Sequence, residues 1–237
     1  MKPRVVLLNC SRNADDAARN FRRVLDARVS EFRVTDGDLP EPTRPVDAAV
    51  VSGSRASVLD DEDWIRDTEE WVARAVDRGV PVLGVCFGHQ LLASALGGTV
   101  ESMDEYEVGF HDVHHRDVSM LFQGVPESFR AFTFHSDEVS SLPDGAVRLA
   151  GNDRCDVQAF RRGHAFGVQF HPEFDSHTVR KALGYRDVSR EHVERVLESL
   201  EANVREYNRI RELFRNFTEY VTNRPDAGHL GRRTLPQ

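Results

Sequence analysis

Residues 80–98 read Val80-Pro81-Val82-Leu83-Gly84-Val85-Cys86-Phe87-Gly88-His89-Gln90-Leu91-Leu92-Ala93-Ser94-Ala95-Leu96-Gly97-Gly98. The apolar run Val80–Leu83 reads as a buried strand, and Leu91–Leu96 as a helix-forming segment closed by two glycines. A cysteine between strand and helix, flanked by small residues, is the layout of a nucleophile elbow. Its tight turn holds the side chain above the sheet edge, and the helix N-terminus favours thiolate over thiol.

Upstream, strand and helix patterns alternate. Arg4–Asn9 reads as a strand, Asp15–Asp26 as a helix, Val29–Val34 as a second strand and Ala48–Val51 as a third. The acidic turn Asp60–Asp63 opens a helix carrying Trp64, Ile65, Trp71, Val72, Ala75 and Val76, and reads as a solvated first turn favoured by the helix dipole. Trp64 and Trp71, seven apart, read as core or partner contacts. Repeated βα units imply a doubly wound, mostly parallel sheet flanked by helices.

Downstream the pattern becomes short strands with turns: Gly109–Val118, Arg130–Phe134, Val147–Ala150, Asp156–Phe160 and Ala165–Phe170. They predict a small antiparallel addition. From Ser189 to Thr222 an apolar stripe runs from Val193 to Val221 at helical spacing. It predicts a helical extension about 50 Å long unless it breaks into two helices, buried against the sheet or a partner chain. The expected organisation is a domain over 1–185, its helical extension over 186–223, and a loose polar tail over 224–237.

The 237 residues suffice for one large core, and the formal charge of −8 without a basic stripe argues against nucleic-acid or anionic-membrane partners. No stretch is apolar for long enough to span a bilayer, and Met1–Arg4 runs straight into a strand, so neither a membrane anchor nor a targeting signal is expected. Cys10, Cys86 and Cys155 are an odd set without metal spacing, which predicts a reduced, cytoplasmic protein with Cys10 and Cys155 as small core residues. His111, His114 and His115 read as surface histidines rather than a metal site, and His89 as packing near the elbow.

A nucleophilic cysteine needs a base, and the base an orienting partner. The candidate is Gly167-Val168-Gln169-Phe170-His171-Pro172-Glu173-Phe174, at the end of the last strand. Pro172 biases His171 towards extended chain, where residues i and i+2 share a side. Glu173 then accepts one ring N–H of His171 and leaves the other nitrogen for Cys86.

Gly-Val-Cys-Phe-Gly-His-Gln at 84–90 followed by Gln-Phe-His-Pro-Glu at 169–173 resembles the class I (triad-type) glutamine amidotransferases. It is most similar to their stand-alone GMP-synthase-like members, and the likeness runs from about Val46 to Phe174. The resemblance implies a flavodoxin-like α/β fold and hydrolysis of the L-glutamine side-chain amide through a cysteine γ-glutamyl thioester. Carried across, Cys86 is the nucleophile, His171 the general base and acid, and Glu173 the orienting carboxylate. Gln90 matches a substrate contact, and the main chain of His135, Ser136 and Asp137 the segment that binds the glutamine α-amino and carboxylate groups.

The oxyanion hole is expected from the N–H of Phe87 and from the loop Val51-Ser52-Gly53-Ser54-Arg55, where the family reads Gly-Gly-Pro and this chain places Ser54 and Arg55. Gly53 is expected among the substrate contacts. A left-handed Ser54 would carry a penalty of about 1 kcal/mol and slow the isolated protein. No cofactor and no metal are expected. With no nucleotide-binding glycine-rich loop after Phe174, the ammonia acceptor is expected to be a separate synthetase. Homo-oligomerisation through the C-terminal helices is a further expectation. Two other functions fit the same residues: a stand-alone γ-glutamyl hydrolase acting on γ-glutamyl amides or peptides, and a non-catalytic regulatory protein of the same fold that serves a larger assembly.

Overall fold

The computed structural model describes residues 1–12, 14–41, 45–115, 119–184, 189–202 and 204–224. In chain order the elements are β1 (Arg4–Asn9), α1 (Ala14–Val24), β2 (Arg28–Arg33), β3 (Ala48–Val51), α2 (Asp63–Asp77), β4 (Val82–Val85), α3 (Phe87–Ala95), β5 (Thr99–His115), β6 (Ser128–Ser141), β7 (Val147–Gly151), β8 (Ala159–Arg162), β9 (Ala165–Val168), α4 (Ser176–Leu183), α5 (Arg190–Ala202), α6 (Val204–Ile210) and α7 (Glu212–Asn223). Among the described residues, one nine-stranded sheet runs β2-β1-β3-β4-β9-β8-β7-β5-β6. The pairs from β2 through β9 are parallel, and those from β9 to β6 are antiparallel.

Burial on both faces explains the continuous apolar runs of β3 and β4, every residue of which is buried. Alternation sorts the side chains between two cores. Val5, Leu7, Ala48, Val50, Leu83, Val85, Phe166 and Val168 pack with α1 and the C-terminal helices. Val6, Leu8, Ala49, Val51 and Val82 pack with α2 and α3, where Ile65, Trp71, Val72 and Leu91 are buried. Trp64 and Trp71 are thus core residues, and so are Cys10 and Cys155. The strand order brings the C-terminal ends of β3, β4 and β9 together, the edge at which open α/β sheets place ligands.

Three features refine these expectations. The antiparallel part is four of the nine strands, and β5 and β6 form one hairpin of 17 and 14 residues. A register shift between Ser102 and Glu107 interrupts their pairing, and the exposed charges of Glu101, Asp104 and Glu105 break the alternation by which a strand is read. Among the described residues the C-terminal stripe is interrupted at Arg211, where a turn separates α6 from α7, so it does not run on as one helix. Its apolar residues, Val196, Leu197, Leu200, Tyr207, Ile210, Leu213, Phe214, Phe217 and Val221, join the core beneath the sheet, so the chain itself covers the stripe. Finally, His115 is buried, stacked on Phe122 at 4.8 Å with Nε2 3.2 Å from the Val125 carbonyl. The end of the strand expected at Gly109–Val118 and the tail beyond Arg224 lie outside the described residues.

Candidate active site

Cys86 stands at φ 53° and ψ −110°, and among the described residues it is the only non-glycine with positive φ. Such backbone costs on the order of 1–3 kcal/mol and persists only where the surroundings enforce it. Two glycines do so by their lack of a side chain. A Cβ on Gly84 would lie 2.2 Å from the Gly88 carbonyl oxygen, and one on Gly88 would lie 2.2 Å from that of Val51. The pattern Gly-x-Cys-x-Gly is therefore a packing requirement: α3 rests directly on β4 and β3. The Cys86 N–H donates to the Val168 carbonyl at 2.8 Å, and its carbonyl accepts from His89 and Gln90 as α3 begins.

Val85 pairs with Val168, so the chain leaving β9 emerges beside Cys86. The His171 N–H bonds the Phe132 carbonyl at 2.8 Å, fixing the start of the loop to β6. His171 Nδ1 donates to Glu173 Oε1 at 2.8 Å, and both side chains are buried. Pro172 and Glu173 form a turn rather than the extended chain that was expected, and the turn brings the carboxylate back to the ring. Nε2 is left as the nitrogen available to Cys86. Burial works against a charged imidazole, but the Glu173 charge, negative charge on the Cys86 sulfur and hydrogen bonds to both outweigh it and raise the His171 pKa to about 10. The ring also stacks on Phe174, with centroids 4.1 Å apart.

Cys86, Phe87, Gln90, Phe134, His135, Ser136, Asp137, Ser54, Arg55 and Ala56 line a cavity of about 250 Å³. The structure thus brings Gln90, residues 135–137 and both expected oxyanion-hole positions, Ser54 and Phe87, around the sulfur. The Gln90 amide nitrogen donates to the Asp137 carbonyl at 2.7 Å and to Gln169 Oε1 at 3.1 Å. The Asp137 carboxylate accepts from Ser57 at 2.6 Å and from Ser102 at 3.1 Å.

Gly53 does not line this cavity. It lies on a smaller one of about 100 Å³ on the His171–Glu173 side, and a Cβ there would stand 3.0 Å from His171 Cε1. Its missing side chain makes room for the ring. Ser54 is not left-handed, so the anticipated strain is absent, and its hydroxyl accepts the Ala56 N–H at 3.1 Å. Glycine at 54 would relieve no strain.

A second buried histidine–carboxylate pair escaped sequence reasoning. Glu107 lies opposite His135 across the β5–β6 hairpin. Its Oε2 accepts from His135 Nε2 at 2.7 Å and from Gln158 at 2.8 Å, while Oε1 accepts from Asn152 at 2.5 Å. Burial opposes its charge, yet the bonds from His135 and Asn152 hold its carboxyl below the usual carboxylate range. His135 Nδ1 lies 3.0 Å from the Asp137 carbonyl, the oxygen that also receives Gln90. His89, as expected, packs: burial pushes its pKa down to about 3, and its ring lies 5.1 Å from that of Phe160.

The chain matches the family model described as Glutamine amidotransferase class-I over residues 13–188. It is 35% identical over 180 residues to a GMP synthase (glutamine-hydrolyzing) from Clostridium novyi, a span covering 71% of this chain and 34% of that protein. It is 41% identical over 111 residues to one subunit of a GMP synthase (glutamine-hydrolyzing) from Methanococcus vannielii, covering 46% of this chain and 58% of the other. The matched spans therefore amount to about a third of the first relative and over half of the second. Among solved structures, a glutamine amidotransferase from Thermotoga maritima superposes with a TM-score of 0.78 at 23% identity, covering 94% of this chain and all of that one. One from Methylobacillus flagellatus gives 0.69 at 22% identity, over 100% and 98%.

Proposed function

We propose that this chain, which belongs to the class-I glutamine amidotransferase family, hydrolyses the side-chain amide of L-glutamine to glutamate and ammonia. The observation that carries this reading is the His171 imidazole held between Glu173 and Cys86, the cysteine that lines the cavity bearing Gln90. The Cys86 sulfur attacks the amide carbon, and His171 gives its proton to the departing nitrogen, leaving a γ-glutamyl thioester and ammonia. His171 then takes a proton from water, the resulting hydroxide attacks the thioester, and glutamate leaves as the thiol is restored. Glu173 keeps the imidazole oriented and transfers no proton. The negative oxygen of each tetrahedral intermediate is assigned to the N–H groups of Phe87 and Ser54. The first belongs to the opening turn of α3, where helix geometry leaves N–H groups unpaired; losing one such donor costs on the order of 3 kcal/mol.

Glutamine binds with its α-amino and carboxylate groups against the main chain of His135–Asp137 and its side-chain amide near Gln90. The matched relative that is one subunit of a GMP synthase supports delivery of the ammonia to a separate synthetase. The experiment is release of ammonia and glutamate from L-glutamine, set against a panel of γ-glutamyl amides, by wild type and Cys86→Ala. Turnover of glutamine that disappears in Cys86→Ala supports the reading. Turnover of γ-glutamyl amides alone replaces it with a γ-glutamyl hydrolase, and no turnover of either favours a non-catalytic role.

A further inference from the structure

The loop that carries His171 and Glu173 lies past the end of β9, its start tied to β6 by the His171 N–H on the Phe132 carbonyl, and four consecutive carbonyls along it each receive a side-chain donor. The Tyr207 hydroxyl donates to the His171 carbonyl at 2.6 Å. Arg211 spans two, with Nε 3.4 Å from the Pro172 carbonyl and Nη2 2.9 Å from that of Phe174. Arg23, from the last turn of α1, donates to the Glu173 carbonyl at 2.6 Å.

Tyr207 and Arg211 also brace each other. The guanidinium lies 5.3 Å from the centre of the buried Tyr207 ring, and a further arm donates to Asn208 at 2.7 Å. Arg23 stands 3.9 Å from Asp175, the residue that caps α4 immediately after the loop. Two of the three donors carry full charges, and charge-assisted hydrogen bonds are as a class stronger than neutral ones. Phe174, whose carbonyl Arg211 holds, is the ring on which His171 stacks. Tyr207 and Arg211 both lie beyond residue 188, where the family match ends.

From this we infer that Tyr207 and Arg211, together with Arg23, are positioning residues for the proposed catalytic loop: the C-terminal helices set the orientation of His171 and Glu173 through the loop's main chain. The inference rests on the reading in which those two side chains act on Cys86. Glutamine binding is spared by geometry, because Gln90 and residues 135–137 line the cavity on the Cys86 side, whereas the clamped carbonyls belong to the loop behind the ring.

The test uses the full chain with Tyr207→Phe, Arg211→Gln and Arg211→Lys, each measured for glutaminase kcat and KM. In parallel, the pH profile of Cys86 alkylation by iodoacetamide is recorded, which needs no turnover. Tyr207→Phe keeps the ring and removes only the donor, so the core survives. The expected result is a kcat lowered about tenfold by either Tyr207→Phe or Arg211→Gln and up to about a hundredfold by both, with KM within about twofold. The alkylation profile moves in the same variants, and Arg211→Lys recovers part of both effects. Arg195→Ala, which removes an exposed pair with Glu191 on α5, changes neither. A wild-type kcat and an unmoved alkylation profile in Tyr207→Phe and Arg211→Gln overturn the inference. If wild type releases no ammonia from glutamine, the functional reading fails by itself, and the alkylation profile still decides the clamp.

Discussion

Among the described residues, two buried histidine–carboxylate pairs have nearly the same length, His171–Glu173 at 2.8 Å and His135–Glu107 at 2.7 Å. They differ in what the second ring nitrogen meets. In the loop after β9 it is left to the Cys86 sulfur, at the ends of parallel strands where a strained elbow holds that sulfur against a cavity. In the antiparallel hairpin it meets the Asp137 carbonyl, an acceptor only, while Asn152 and Gln158 close around the carboxylate. Both ring nitrogens of His135 thus meet oxygens of the protein, and neither faces a nucleophile. A short histidine–carboxylate contact is not itself a catalytic device. In the proposed reaction the first pair moves a proton, and the second holds the floor on which the proposed substrate contacts stand.

Substituting within each pair should separate these roles. The largest effect belongs to the first: His171→Ala should lower glutaminase kcat by about 10⁵-fold or more, close to Cys86→Ala. Glu173→Gln should lower it by about 10⁴-fold and leave a measurable residue, because the carboxylate orients without transferring a proton. Steady-state kinetics check both, and a wild-type kcat in Glu173→Gln would remove the distinction between the pairs. Glu107→Gln should behave otherwise: KM rises about tenfold, kcat falls less, and stability drops by about 3 kcal/mol, because breaking a buried pair leaves its partner unmatched. Urea titration together with KM reads this, and a kcat loss larger than the KM change would place Glu107 in the chemistry instead.

A third histidine sharpens the comparison by having no carboxylate. His89 has its folded pKa depressed to about 3, against about 6.5 in the unfolded chain. Its contribution is present above pH 6.5 and is lost as pH falls towards 3, because the unfolded chain takes up a proton that the folded one refuses. His89→Gln should flatten the fall in stability between pH 6.5 and 4, read as the urea midpoint against pH. An unchanged slope would mean that His89 is protonated while folded.

The parallel half of the fold was readable because burial on both faces leaves plain marks. β1 and β3 begin and end at the expected residues, and the elbow follows from Gly84, Cys86 and Gly88 alone. His171 and Glu173 were legible because a two-residue spacing keeps partners together even through a turn. The hairpin was less so: Glu107 sits in the run Asp104-Glu105-Tyr106-Glu107, whose other members are exposed, and nothing in the order of the letters marks the one turned inward. Tyr207 read correctly as a core position of the C-terminal stripe, but the partner of its hydroxyl lies 36 residues away at His171. Only the packing of the C-terminal helices brings the two together. Ser54 failed in the opposite sense, since a departure from the family's glycine suggested strain that the backbone does not have.

The central claim is that Cys86 alone forms the acyl bond, and a glutamine-like diazo-ketone electrophile tests it most directly. Cys10 and Cys155 are buried, and burial pushes their thiols well above the ordinary range, so neither should react. Intact mass and peptide mapping after labelling should therefore find one adduct, at Cys86, absent from Cys86→Ala and strongly slowed in His171→Ala. An adduct on Cys10 or Cys155 that persists in Cys86→Ala, or a Cys86 that labels no faster than a free thiol, would contradict the account.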